Sequence, residues 1–288
     1  MIRAEHGVKA TVLDTWDLPG VTRIVMSLRW QTEPGWVELS FEQPVLCMVV
    51  EEIGGRCQVR MCADRPVQGE YFGTGHLSLI ATGQPVAIHA TEMLRARLVF
   101  YLFDLAGAHC LSPAETRAIV EMQSRYMFRN EPVQVCAEIL GRHDKSEGDS
   151  YGFHLARALI AALHGVACAP LASVSPFARK LTGNTMEAIS THILDHLDQP
   201  VTVEALAHVA SIPMAQFGAA FRDATSLSVQ RWQMDARVRR AQRLMIDTPA
   251  ECLAKVAALA GFSDQGHLSR VFVEIVGTTP TAWIHQHR

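Results

Sequence analysis

Hydrophobic and polar positions alternate in short runs over the first hundred residues, and the period then changes. Residues 45–50, 58–61, 77–80, 86–89 and 94–103 are β-prone runs of strand length. Gly54-Gly55, Asp64-Arg65-Pro66, Gly73-Thr74-Gly75 and Gly83-Gln84-Pro85 divide them with turn chemistry. Short strands at such spacing predict a small barrel or sandwich. After about Leu105 the turn residues thin out. Ser112-Pro113-Ala114-Glu115 reads as a helix start, with Ile119 and Met122 continuing an apolar stripe. A second helix is predicted from about Phe153 to His164, where Leu155, Leu159 and Leu163 recur every fourth residue beside Ala158 and Ala162. That stripe serves either as a dimer face or as packing against the chain's own strands. Residues 141–150 read as a loop and 169–176 as a linker, and the chain after Met186 reads as helical.

The helical tail contains an internal repeat. Val203, Leu206, Ala207 and Ala210 recur fifty residues later as Leu253, Val256, Ala257 and Ala260. One inserted residue changes the offset, so that Phe217, Ala220, Phe221 and Ala224 match Leu268, Val271, Phe272 and Ile275. Both sets have i, i+3, i+4, i+7 spacing, the signature of one buried helix face. Each copy therefore predicts a short helix, a tight turn and a longer helix, with Ala207 or Ala257 as the small residue at the crossing. A plain helical bundle gives the same periodicity. Between the copies, residues 231–245 predict a continuous helix with Arg231, Arg237, Arg239, Arg240 and Arg243. Its buried side is Trp232, Val238, Ala241, Leu244 and Met245. The arginines suit either phosphate neutralisation or an ordinary solvated face.

Composition narrows the choices. At 288 residues, with 49% hydrophobic and 19% charged, the chain is long enough for two domains and apolar enough for real cores. No run approaches the roughly 18 apolar residues of a membrane span, and the N-terminus lacks the apolar core of a secretory signal. Seven scattered cysteines, with no CxxC and no Cys/His cluster, predict reduced thiols and a cytoplasmic protein. Net charge is −3, and from Ile189 onward nine basic residues face nine acidic ones. A neutral tail is unusual for a nucleic-acid binder.

Ordered motifs in the tail resemble those of the AraC/XylS family DNA-binding domain, over about the last hundred residues. They are Ile193-Leu194-Asp195-His196-Leu197-Asp198-Gln199-Pro200, Arg239-Arg240-Ala241-Gln242-Arg243-Leu244-Met245, and then Ala260-Gly261-Phe262-Ser263-Asp264-Gln265. His267-Leu268-Ser269-Arg270-Val271-Phe272 and Gly277-Thr278-Thr279-Pro280 follow. The resemblance implies two helix-turn-helix units, joined by a long linker helix, that enter successive major grooves of double-stranded DNA. It also implies a cupin-like effector or dimerisation domain before them, resting on Gly75-His76-Leu77-Ser78-Leu79-Ile80 and Gly83-Gln84-Pro85. The expected fold is thus α+β and multidomain: a cupin-like β-barrel with flanking helices, then an all-α domain. The expected boundaries are 1–105 for the effector-binding barrel, 106–170 for helices of dimerisation, 171–185 for the linker and 186–288 for the DNA-binding domain.

The family pattern is not matched everywhere. On the exposed face of the first unit's second helix stand Ala215, Gly218 and Ala219, none able to make a bidentate bond to a base edge. Pro213 replaces a capping serine and Ser211 the turn glycine. Gln216 and Arg222 are the contacts left there, the latter to phosphate. In the second unit Gln265 and Arg270 are base readers, and His267 and Ser269 groove or phosphate contacts, although Val273 and Glu274 stand where basic residues are common. Arg237, Arg240 and Arg243 complete the expected DNA-binding set.

Enzyme chemistry is not expected. His6, His76, His89 and His109 lack the paired spacing of a cupin metal site, Gly73-Thr74-Gly75 lacks the lysine of a phosphate loop, and no nucleophile motif is present. No metal or cofactor is expected, and the effector-binding residues are not identifiable. Trp16, Trp30, Trp36, Tyr71 and His89 are the aromatic candidates for lining a pocket. The chain reads as a cytoplasmic homodimeric transcription regulator, responsive to a small-molecule effector and touching RNA polymerase if it activates. Two rivals remain: an AraC-like regulatory partner protein that does not bind DNA, and a cupin enzyme fused to a regulator.

Overall fold

The computed structural model describes residues 2–18, 20–32, 35–62, 69, 71–104, 112–121, 123–142, 149–168, 180–197, 199, 201–249 and 251–287. The chain divides into two compact units. One comprises Met1–Glu52, Cys57–Thr91 and Arg95–Val174, and the other Ile53–Arg56, Glu92–Leu94 and Ser175–Arg288. The turn Asp64-Arg65-Pro66, the centre of the 141–150 loop, the 169–176 linker, His109 and Met122 lie outside the described residues.

The first unit is built from strands β1 (Ile2–His6), β2 (Val8–Leu18), β3 (Val21–Trp30), β4 (Gly35–Ser40), β5 (Val45–Ile53), β6 (Arg56–Arg60), β7 (Leu77–Ile80), β8 (Pro85–Thr91), β9 (Arg95–Phe103) and β10 (Arg125–Phe128). They form a four-stranded sheet in the order β1-β4-β8-β6 and a six-stranded sheet in the order β10-β7-β5-β9-β3-β2. This corrects the expected barrel. Among the described residues no closed barrel is seen, because the strands sort into two separate sheets. Alternation explains the layering. Met26, Leu28, Leu98 and Phe100 of the larger sheet and Val37, Leu39, Val86 and Ile88 of the smaller one are all fully buried. Phe41, just after β4, meets Phe100 of β9 at 5.4 Å between ring centroids, as expected of two sheets packed face to face.

The opposite face of the larger sheet is covered by helices α1 (Pro113–Val120), α2 (Glu131–Arg142) and α3 (Asp149–Cys168). Trp16, Leu46, Met48, Val99, Tyr101 and Phe103 share a core there with Val133, Leu140, Leu159 and Leu163. Arg23 anchors the end of α2, donating from Nη1 to the carbonyls of Leu140 (3.2 Å) and Gly141 (3.1 Å) while its Nη2 pairs with Asp14 at 2.6 Å. Tyr101 donates its hydroxyl hydrogen to Ala137 O at 2.5 Å. The leucine stripe of α3 therefore packs on the chain's own sheet, with Leu159 and Leu163 buried and Leu155 partly so. Of the two readings open in the sequence, packing is the one the core realises.

The second unit carries α4 (Gly183–Asp195), α5 (Val203–Val209), α6 (Met214–Thr225), α7 (Val229–Asp247), α8 (Leu253–Leu259), α9 (Gln265–Val276) and α10 (Pro280–His287). Helix α4 begins inside the stretch read as linker, with Thr182 as its N-cap accepting from Thr185 N. Val238, Ala241 and Met245 of α7 bury themselves with Val256, Ala257, Ala260, Phe262, Leu268, Phe272 and Trp283. Phe221 of α6 stands edge-on to Trp232 of α7 at 5.5 Å. Among the described residues, no helix of the chain is long and apolar enough to cross a membrane.

Candidate nucleic-acid interface

The sequence repeat is a structural repeat down to single hydrogen bonds. In the first copy Ile212 N donates to Ala207 O at 3.0 Å, and in the second Phe262 N donates to Ala257 O at 2.9 Å. Both bonds close the tight turn between a short helix and a longer one, and the two alanines at the crossings are buried. The turn requires a left-handed residue at its second position. Gly261 meets the need at φ +80, whereas Ser211 must adopt φ +52.

Helix starts differ between the copies. Asp264 caps α9, accepting from His267 N at 2.7 Å. That backbone donor, aided by the Ser263 hydroxyl, holds the Asp264 carboxyl below the usual carboxylate range. Pro213, at the same place before α6, makes no side-chain cap. Thr202 caps α5 by accepting from Ala205 N, and Ser228 caps α7 by accepting from Arg231 N.

The exposed faces of the two longer helices carry most of the sequence-predicted contacts. On α6, Met214, Ala215, Gln216, Ala219 and Arg222 are exposed and Gly218 is half-buried. On α9, Gln265, Gly266, Arg270, Val273 and Glu274 are exposed, while His267 and Ser269 are half-buried. His267 is held in place, with Nδ1 3.1 Å from Ser263 Oγ and its ring edge-on to Phe262 at 5.3 Å.

The arginines of α7 fare differently. Arg237 donates to the carbonyls of Leu197 (3.1 Å) and Gln199 (3.3 Å), tying α7 to the segment after α4. Burial lowers its affinity for the proton. Arg239 is buried beside Asp235 at 3.0 Å. Arg240 lies 3.7 Å from Glu92 of the same unit, and Arg243 3.2 Å from Asp247. Arg231 pairs with Glu274 of α9, and Lys255 with Glu251 at 2.5 Å. Among the described residues Arg222 and Arg270 form no ion pair, and both are exposed, one on each longer helix. The neutral charge of this region is thus largely internal pairing, and the unspent cations sit on the two repeated faces. Sequence reasoning singled out Arg222 and Arg270 but missed that α7 spends its arginines within the fold. The acids at i+4 from Arg243, and at i−4 from Arg239 and Lys255, were the available signal.

The aromatic residues considered for an effector pocket are dispersed. Trp16 lies in the core beneath α3, whereas Trp36 and His89 are cross-strand partners in the smaller sheet. Trp30 donates its indole N–H to Gly35 O at 3.0 Å. Tyr71 is buried, with Arg129 over its ring at 5.8 Å. Among the described residues no cluster of three or more His, Cys, Asp or Glu is placed to hold a metal, and Cys47, Cys57, Cys62, Cys136 and Cys252 take part in no disulfide.

Comparison with known proteins falls on the same segment. A family model described as a helix-turn-helix domain matches residues 206–286. The probable transcriptional regulator LumQ of Photobacterium leiognathi is 29% identical over 105 residues, covering 36% of this chain and 42% of that protein. The arabinose operon regulatory protein of Escherichia coli (strain K12) is 29% identical over 99 residues, 34% of each chain. In both cases the chain spans less than half the length of the curated relative it matches. Among solved structures, the DNA-binding domain of AdpA in complex with a target DNA is 30% identical with a TM-score of 0.32, covering 36% of this chain and 92% of that one. ToxT from Vibrio cholerae covers 92% of this chain and 98% of its own, at 9% identity and a TM-score of 0.34. Over residues 206–286 the chain thus carries a helix-turn-helix domain similar to that of AraC-family transcription regulators.

Proposed function

We propose that the chain is a sequence-specific DNA-binding transcription regulator in which α5–α6 and α8–α9 act as two helix-turn-helix units on double-stranded DNA. The observation that carries this is the pair of exposed, unpaired arginines, Arg222 and Arg270, on the second helices of two repeated helix pairs. Gln265 and Arg270 are assigned to base edges, since glutamine and arginine make bidentate bonds to adenine and guanine respectively. Arg222 is assigned to phosphate, with Gln216, His267, Ser269, Arg240 and Arg243 at the margins of the surface. Arg237, already bonded to two carbonyls, serves by fixing the position of α7. The sheet-rich unit, read as residues 1–105 with helices to 170, is the candidate for effector binding and homodimer formation in the cytoplasm, and RNA polymerase is the further partner of an activator.

The test is retention of genomic DNA fragments by the purified chain at several salt concentrations, followed by sequencing. A shared motif that weakens steeply with salt supports the reading. Arg270→Ala should then relax discrimination at one position, costing about 1–3 kcal/mol, while Arg222→Ala weakens all sites alike. Loss of discrimination in Arg222→Ala with Arg270→Ala unaffected would overturn the assignment. The bare face of α6 favours one rival, a regulatory partner protein that has lost DNA binding. Absence of retention by folded protein at low salt would establish that rival.

A further inference from the structure

Apart from Gln216, the exposed face of α6 lacks the side chains by which helices usually read bases, yet it is not featureless. Aligned by the repeat, Met214 stands where α9 has Gln265, Ala215 where it has Gly266, Gly218 where it has Ser269 and Ala219 where it has Arg270. At 214, 218 and 219 the first helix pair therefore has Met, Gly and Ala in place of three hydrogen-bonding side chains of α9. Met214 is 61% exposed, and a Cβ on Gly218 would meet nothing within 4 Å, so the face is open. A thioether and two methyl groups supply far too little apolar area for a protein partner, which needs on the order of 800 Å² from each side. They do match a smaller apolar target. In the major groove thymine alone presents a methyl group, at C5, and it is read by apolar side chains. Arg222, exposed and unpaired on the same helix, supplies the charge that holds such a face against a phosphate backbone.

Resting on the DNA-binding reading above, we propose that α6 selects thymine: Met214, Ala215 and Ala219 pack on the 5-methyl groups of successive thymines, so the first unit reads by apolar contact and the second by hydrogen bonds. The absence of long polar side chains at 215, 218 and 219 lets the helix sit close enough to the groove floor for these short groups to reach.

The experiment replaces each thymine of a retained genomic site, one at a time, with deoxyuridine, which removes only the 5-methyl group, and measures affinity of the full chain. Each contacted methyl should cost about fourfold in affinity, the value of one buried methylene. The sensitive thymines should cluster about one helical turn from the position where Arg270→Ala relaxes discrimination. Met214→Ala, an exposed substitution that leaves the core untouched, should abolish the sensitivity at one of these thymines and keep the others. Undiminished affinity with every thymine replaced, in a chain that still selects its motif, would overturn thymine reading and leave DNA reading intact. Sensitivity unchanged in Met214→Ala would remove Met214 from the assignment. No DNA retention by folded protein would overturn the underlying reading itself.

Discussion

Two residues at equivalent turn positions show how one backbone requirement is met well and badly in the same chain. Gly261 at φ +80 lies so close to α4's end that an added Cβ would stand 1.9 Å from Leu197 O. That carbonyl also accepts from Arg237 Nε at 3.1 Å, so it has no room to retreat. Gly261→Ala should therefore cost roughly 2–4 kcal/mol, through left-handed strain and the clash together. Ser211 holds the matching conformation at φ +52 without glycine's freedom. Ser211→Gly should be stabilising by about 0.5 kcal/mol, relief of left-handed strain exceeding the greater chain entropy of glycine. Thermal unfolding of both variants checks the pair; a Ser211→Gly chain that melts lower would contradict the strain. His89 gives a pH signature of the first unit. Burial, with Arg60 adding a like charge, lowers its pKa to about 4 from an ordinary 6.5, and its Nδ1 has no hydrogen-bond partner among the described residues. The neutral ring is the one the fold accepts, so its contribution is complete above pH 6.5 and is lost as pH falls through 6.5 toward 4, where the unfolded chain binds the extra proton. Melting temperature should fall over that window, and His89→Gln should flatten the fall.

At the scale of elements, strands and helices were legible where local chemistry and burial agree. β5 to β9 match runs read from β-prone residues between turns, and α7 matches the arginine-bearing stretch. β2 was not picked out because most of its side chains are exposed or half-buried, so no apolar alternation marks it. Helix α2 escaped too, although Asn130 caps it by accepting from Val133 N at 3.1 Å and Pro132 stands in its first turn, an available start signal. Closure was not legible, since turns and strand lengths are alike in a barrel and in two facing sheets. Within the candidate interface, the sequence marked the exposed positions of α6 and α9 correctly as faces, because the buried stripe of each repeat leaves only the remaining positions outside. Partner choice was legible only in part: Asp247 stands four residues after Arg243 and marks that pair, whereas nothing local marks the distant Leu197 and Gln199 carbonyls that Arg237 binds.

Charge is the property that belongs to the whole molecule, and it decides how this chain meets a polyanion. Each arginine that neutralises a phosphate adds about 0.9 to the magnitude of the slope of log affinity against log salt. With most basic residues of the C-terminal unit internally paired, the slope should be shallow, carried chiefly by Arg222 and Arg270. Arg231 is the cation most readily recruited. It is about one-third exposed, and its partner Glu274, 64% exposed on α9, competes directly with phosphate for the guanidinium. An exposed ion pair of this kind contributes little to stability, so Glu274→Gln should fold as the parent does. The variant both removes a negative charge from the α9 face and frees Arg231. Its affinity for DNA should rise at low salt, and the slope should steepen by about one. A rise in affinity with an unchanged slope would mean that only the repulsion of Glu274 was lifted and that Arg231 does not reach a phosphate. No change in either would place the α7–α9 ion pair away from the DNA and leave Arg222 and Arg270 as the electrostatic contacts.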